Sequence, residues 1–344
     1  MTSETSTRRR HRVTSFDVAE AAGVSQSTVS RALAGDTSIS QATRDRVAAA
    51  ARQLNYQVDE NAARLRKGRT GTLAVVMVCR TGQDRKDINP FYFSLLGSTC
   101  AAAAARGYET LVSFQDSPAN FWGHYEERRR ADGLIVIGTS ENAAAWDYFS
   151  ALSQRDLHWV CWGSPDDEFD WVRSDNHAGA VLATEHMIAQ GRRDIVCIGP
   201  LGTSQRQFDE RWNGYAEAMR KAGLEPRLQE VPAGLTREEQ GRAAIAALAD
   251  SGVPFDGLFV VCDEMALGAL KELDARGIAV PREVALVGFD GVRAGAYSSP
   301  PLTTIEPDFE DAGTLLVEHL LARLGEETSG RSRVPVRLLQ RGSA

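Results

Sequence analysis

Apolar residues recur at two different periods along this chain, and the change of period divides it. Between Val13 and Leu54 the spacing is helical. SFDVAEAA opens after Thr14, with Asp17 three residues on as its capping partner, and Gly23 can end it at positive φ. Ser25 can cap a second helix, QSTVSRAL, and Ser40 a third, QATRDRVAAAARQL, with Val47, Ala50, Ala51 and Leu54 in helical register. Two helices joined by a tight Gly-containing turn and braced by a third predict a helix-turn-helix. From Thr72 onward, TLAVVMV (72–78), ETLVSF (109–114), GLIVIG (133–138), HWVCW (158–162), DIVCIG (194–199), GLFVVC (257–262) and VALVGFD (284–290) read as strands. Helical segments such as AVLATEHMIAQG and EMALGALKELDARG fall between them, which predicts βαβ units and parallel sheet.

With 344 residues the chain is too long for one core and suits two or three domains. No stretch approaches the ~18 uninterrupted apolar residues of a membrane span, and the start MTSETSTRRRHR lacks the apolar region of a secretory signal. A cytoplasmic protein without a membrane partner is expected. Cys79, Cys100, Cys161, Cys197 and Cys262 are far apart, several of them in apolar runs, and read as reduced structural thiols. Neither their spacing nor the scattered histidines suit a metal. No G-x-G-x-x-G follows the first strand, and neither G-x-x-x-x-G-K-[ST] nor G-x-S-x-G occurs, so no cofactor and no enzymatic activity are expected.

The net charge of −7 alone argues against nucleic acid, but its distribution reverses that. Residues 1–68 hold 11 Lys and Arg against 7 Asp and Glu, whereas the remainder holds 28 against 39. A basic head on an acidic body suggests that only the head meets phosphate. In the second helix, residues about 100° apart place Gln26, Ser27, Ser30 and Arg31 on one arc, opposite Thr28, Val29, Ala32 and Leu33. Alone, that pattern is an ordinary solvated face; the Gly turn, the capping serine and the basic flanks favour a groove. Arg31 has the fork for guanine O6 and N7, and Gln26 can pair with adenine N6 and N7. Hydroxyls of Thr14, Ser25, Thr28 and Ser30 can hold phosphates and set the register.

VTSFDVAEAAGVSQSTVSRALAG, followed by ISQATRDRVAAAARQLNY and AARLRKGRTGTLAVVMV, resembles the lactose-repressor (LacI) family. The resemblance runs over about residues 13–340. It implies a homodimer on a pseudo-palindromic operator, with Gln26, Ser27 and Arg31 reading bases. It also implies that DENAARLR (59–66) is a hinge that folds on DNA, with Leu65 wedged into the minor groove. Val58 and Asp59 stand where proline and asparagine are commonest, which weakens hinge folding. The implied fold is an all-α helix-turn-helix head plus an α/β, two-lobed periplasmic-binding-protein-like domain of doubly wound parallel sheets. The expected divisions are a disordered basic arm (1–12), the helix-turn-helix (13–58), hinge helix and linker (59–70), and a ligand-binding and dimerisation domain (71–340). Its N-lobe covers about 71–173 and 304–324, and its C-lobe about 174–303 and 325–340.

In the body, INPFYFSLL, SDNHAGAVLATEHMIAQGRRDIVCIGP, RWNGYAEAMRKAG and VALVGFDGVRAGAYSSPPLTTIEPDF match landmarks of the same family. The resemblance places Arg211 and Asp290 in the effector site; Arg can donate a fork and Asp accept from two sugar hydroxyls. Phe91, Tyr92, Trp162 and Phe309 are candidates to stack on a sugar face, or else core aromatics. Cys262 departs from the asparagine common there, and a thiol cannot replace an amide's donor and acceptor. The insert RTGQDRKD (80–87) is either a surface loop or a reshaped cleft mouth.

The function these readings imply is a repressor of sugar-utilisation genes, released from its operator when a sugar shifts the lobes. A regulator answering to a purine or phosphorylated metabolite, a cytoplasmic sugar-binding protein and an enzyme are the alternatives. The end SRVPVRLLQRGSA carries no heptad run for a tetramer.

Overall fold

The computed structural model describes residues 13–56, 68–82, 84–153, 155, 157–163, 169–327 and 330–344. The arm 1–12 and the hinge 59–66, with Leu65, lie outside the described residues. The chain divides into two compact units, Met1–Arg69 and Thr70–Ala344.

The first unit holds helices α1 (Ser15–Ala22), α2 (Gln26–Leu33) and α3 (Gln41–Gln53). Thr14 donates its backbone N–H and its hydroxyl to Asp17 Oδ2 at 2.7 and 2.8 Å, which fixes the start of α1. Gly23 ends it in the left-handed conformation, φ 64°. Ser25 and Ser40 accept the backbone N–H groups of Thr28 and Thr43 at 3.2 and 3.3 Å. One valine from each helix, Val18, Val29 and Val47, is buried at the centre. Burial of each contributes about 1.5–3 kcal/mol.

The second unit contains two six-stranded sheets. The first runs β11-β5-β4-β3-β1-β2 and the second β12-β10-β9-β8-β6-β7. The first lobe uses β1 (Thr72–Val78), β2 (Glu109–Gln115), β3 (Gly133–Gly138), β4 (Trp159–Trp162), β5 (Trp171–Ser174) and β11 (Ser332–Val334). The second uses β6 (Ile195–Ile198), β7 (Leu228–Gln229), β8 (Gly257–Val260), β9 (Ala285–Phe289), β10 (Thr303–Pro307) and β12 (Val336–Leu339). All recorded pairings are parallel except β10 with β12. The apolar runs of β1 and β3 are buried on both faces, as helices cover the sheet. Strands β5, β7, β11 and β12 have only two to four residues, too few for a period of two to register in sequence.

Helices α4 (Pro90–Ala105), α5 (Ala143–Ser153) and α10 (Phe309–Leu324) belong to the first lobe. Helices α6 (Asn176–Ala189), α7 (Arg206–Lys221), α8 (Arg237–Asp250) and α9 (Asp263–Ala275) belong to the second. The α8 and α9 helices approach through reciprocal glycines. A Cβ on Gly241 would lie 1.9 Å from Met265 O, and one on Gly268 2.0 Å from Glu238 O.

The chain passes between lobes after β5, after β10 and between β11 and β12. Two hydrogen bonds bind these passages together: Asp175 N to Val334 O, 2.9 Å, and Asp308 N to Pro335 O, 3.0 Å. The boundaries differ from those expected. Thr304 pairs within the second sheet against β9, so the second passage follows Pro307. Residues 332–334 pair with β5 in the first sheet, so the third passage lies at Pro335 rather than near residue 325.

Candidate functional site

The α2 helix exposes Ser27 and Arg31, part-exposes Gln26 and Ser30, and buries Val29 and Ala32 against its neighbours. Ser25 Oγ lies 2.8 Å from both Ser27 Oγ and Thr28 Oγ1, so the hydroxyls at the helix start form one cluster. Gln26 Nε2 donates to Ser15 Oγ at 3.1 Å, which fixes this side chain against α1. Arg31 Nε donates to Asp36 Oδ2 at 2.9 Å, and Arg31 Nη2 donates to Ser38 Oγ. Hydrogen bonds from Ser38 and then Arg31 hold the Asp36 carboxyl well below the usual range. Sequence reasoning missed Asp36, although it stands five residues beyond Arg31 with Gly35 before it.

A cleft of about 700 Å³ opens where the carboxyl ends of the two sheets face one another. Each sheet reverses its strand order there, between β1 and β3 and between β6 and β8. Such switch points leave a crevice where the loops part in opposite directions. Val78–Arg80 and Gly138–Ser140 line it from the first lobe, and Gln205–Phe208, Cys262 and Glu264 from the second.

Arg211 and Asp290 meet in this cleft, Nη1 to Oδ1, at 3.1 Å, each almost wholly buried. Arg211 Nε donates to Asn176 Oδ1 at 2.9 Å, Nη1 donates to Val261 O, and the guanidinium lies 3.6 Å from the Phe289 ring centroid. These contacts orient the fork. Burial raises the Asp290 carboxyl, with Arg211 opposing the shift. Asp290 has φ 120°, a conformation L residues rarely adopt, and its N–H is tied to Ile305 O at 2.8 Å. The β9–β10 pairing therefore sets where this carboxylate points.

Phe91, Tyr92 and Trp162 line the first-lobe wall. The Phe91 ring is 5.5 Å from Tyr92, 5.8 Å from Trp162 and 5.3 Å from Phe309. Phe309 is not among the lining residues. As the first residue of α10 it packs into the first-lobe core behind Phe91, so it supports the wall from outside the site. Cys262 does line the cleft, and burial pushes its thiol up to about 12, which keeps it neutral. Of the insert 80–87, Arg80, Thr81, Gly82, Lys86 and Asp87 line the cleft, so it shapes the mouth.

Two ionic clusters had escaped the sequence reading. Arg237, at the start of α8, is 9% exposed; its Nη2 donates to Glu141 Oε1 of the first lobe at 2.6 Å and to Gln205 Oε1, and its Nη1 to Gln240 Oε1 at 2.7 Å. Arg80 also pairs with Glu141. A cation in the first turn of a helix opposes the helix dipole, which was the available signal. At the passages, Glu210 of α7 pairs with Arg173 at 3.2 Å and Arg333 at 3.0 Å, both in first-lobe strands, and accepts from Asn176 Nδ2 at 2.8 Å. Arg80, Arg173, Arg211 and Arg237 thus each face a carboxylate.

A helix-turn-helix head followed by two doubly wound lobes with a polar cleft at their switch points defines a DNA-binding transcription regulator with a periplasmic-binding-protein-like body. Residues 16–59 match the model of bacterial regulatory proteins of the lacI family, and residues 184–344 that of the periplasmic binding protein-like domain. The HTH-type transcriptional regulator CelR of Thermobifida fusca is 30% identical, with 96% of each chain covered. The ribose operon repressor of Escherichia coli (strain K12) is 29% identical, over 95% of this chain and 98% of its own. The solved complex of transcriptional regulator CelR with cellobiose superposes with a TM-score of 0.68 at 28% identity, covering 97% of this chain and all of the other. The chain belongs to the lacI family of bacterial regulatory proteins. Among the described residues no helix is long and apolar enough to cross a membrane.

Proposed function

We propose that this regulator acts in the cytoplasm as a homodimeric repressor, without catalytic activity, and that a neutral sugar in the cleft releases it from a pseudo-palindromic operator. Gln26, Ser27 and Arg31 read bases in each half-site; Thr14, Ser25, Thr28 and Ser30 hold phosphates, and Leu65 enters the minor groove. Arg211 and Asp290 hold the sugar hydroxyls, and Phe91, Tyr92 and Trp162 face its apolar side. The observation that carries the sugar reading is that Arg80, Arg173, Arg211 and Arg237 are all engaged by carboxylates, Arg211 by Asp290, Arg173 by Glu210, and Arg80 and Arg237 by one shared Glu141. Arginines already engaged in this way suit hydroxyls, each donor and acceptor, better than a phosphate or other anion that would need their full charge. Relatives fit this reading, since one solved neighbour holds cellobiose and another regulator is that of the ribose operon. A second copy is expected over the exposed Phe93 of α4 and Val112 of edge strand β2.

The test is operator release. Fluorescence anisotropy on the gene's own upstream DNA, with a panel of sugars, nucleosides and sugar phosphates, is expected to show release by a neutral sugar alone. Release or tightening by a purine or a phosphorylated compound instead would replace the sugar with that class.

A further inference from the structure

The body is acidic, with 28 Lys and Arg against 39 Asp and Glu beyond residue 68, yet one turn of it concentrates positive charge. Arg128, Arg129 and Arg130 follow one another in the connection from β2 to β3, and all three are exposed. Among the described residues none of them pairs with a carboxylate. The carboxylates just before them are occupied: Glu126 Oε1 lies 2.7 Å from His158 Nδ1, and Glu127 Oε2 lies 2.6 Å from His124 Nδ1. Backbone bonds from Arg129 N to Glu126 O and from Arg130 N to Tyr125 O, both 2.8 Å, fix the turn around the buried Tyr125. Arg129 has φ 51°, in the left-handed region that favours glycine. Strain kept at an exposed arginine is a mark of function rather than of packing.

Asp132, two residues on, holds the point where the chain enters the body. Its Oδ1 accepts from Thr70 N at 2.5 Å and from Thr70 Oγ1 at 2.8 Å, and its Oδ2 accepts from Gly71 N at 2.9 Å. Its own N–H donates to Thr72 O at 2.8 Å. The arginine turn is therefore stapled to the end of the linker, whose sequence adds Lys67 and Arg69. Glu109, at the start of β2, is set on the other side of β1. Leu65 and Thr70 are five residues apart, a length of chain that spans at most ~18 Å.

We infer, on the reading above that puts Leu65 in the minor groove, that Arg128, Arg129 and Arg130 form a second DNA-binding surface, which takes operator backbone phosphates beside the hinge. Such contacts carry no base information; they add affinity that salt removes.

Fluorescence anisotropy of the full-length dimer on its operator, between ~50 and ~200 mM salt, tests this. Each neutralised phosphate contributes ~0.9 to the slope of log affinity against log salt. Replacing all three arginines by glutamine is expected to lower that slope by ~2 or more, at least one phosphate per protomer, and to leave discrimination against single-base operator variants as in the wild type. Arg129→Gly removes the left-handed strain, so it is expected to keep or raise the melting temperature while the slope falls by ~1 or more. Arg220→Gln, Arg242→Gln and Arg282→Gln together remove equal charge from the second lobe and are expected to leave the slope unchanged. An unchanged slope in both arginine-turn variants, or an equal fall in the second-lobe control, overturns the phosphate assignment and leaves the hinge reading standing. Undiminished operator binding by Leu65→Ala overturns the hinge reading itself, and with it the reach on which the assignment depends.

Discussion

Glu210 Oε1 lies 3.2 Å from Arg173 Nη1, joining an α7 residue of the second lobe to a β5 residue of the first beside the strands that connect them. Arg333 shares the same carboxylate, and Asn176 links it to Arg211 in the cleft. A continuous set of hydrogen bonds therefore runs from the Arg211 fork in the cleft to the contact between lobes.

Glu210→Gln keeps the shape and removes the charge that Arg173 and Arg333 share. A loss of about 1–3 kcal/mol is expected by urea unfolding, since charge-assisted hydrogen bonds to a largely buried carboxylate are weakened. Although burial opposes it, Arg333 and Asn176 hold the Glu210 carboxyl below its ordinary value. The stability this provides is present above pH 4.5 and is lost as pH falls through the lowered value. The variant should thus be flatter than the wild type on the acid side. Equal acid profiles would show that Glu210 does not carry the latch.

In the head, Arg31→Ala is expected to lose about 1–3 kcal/mol of discrimination at one base pair per half-site, with weaker loss on random DNA. Competition binding with single-base operator variants measures it. An unchanged ratio of operator to random binding would remove Arg31 from the base-reading set. Asp36→Asn frees the same fork and is expected to blunt that discrimination, because the guanidinium is then no longer oriented by Asp36 and Ser38.

Glu264 provides a pH dependence of opposite sign. Burial, then the neighbouring Asp290, pushes its carboxyl up to about 7 from 4.5. A raised acid favours folding while protonated, so the contribution is complete below pH 4.5 and is lost as pH rises through 7. The change is up to ~3 kcal/mol. Glu264→Gln is expected to lose less melting temperature than the wild type between pH 5 and pH 8. Parallel curves would place the ionised carboxylate in water.

Gly268→Ala is expected to destabilise by about 1–3 kcal/mol, because its Cβ meets the Glu238 carbonyl and α8 must move away from α9. Calorimetry of the full chain reads this directly.

The sequence by itself determined the head, with its capping Thr14, Ser25 and Ser40, its Gly23 turn and its valine core, because each of those signals is local and acts within one turn of helix. It also determined the long strands β1 and β3, the order of α and β segments, and Arg211 and Asp290 as cleft residues through resemblance. Only the tertiary structure decided that Arg237 meets Glu141, that Glu210 meets Arg173 and Arg333, and that Phe309 stands behind the wall instead of in it. These partners are 96, 37, 123 and 218 residues apart, the last pair being Phe309 and Phe91. Their meeting depends on where three chain passages set two sheets face to face, and a side chain's partner across such a gap leaves no periodicity in the residues around it.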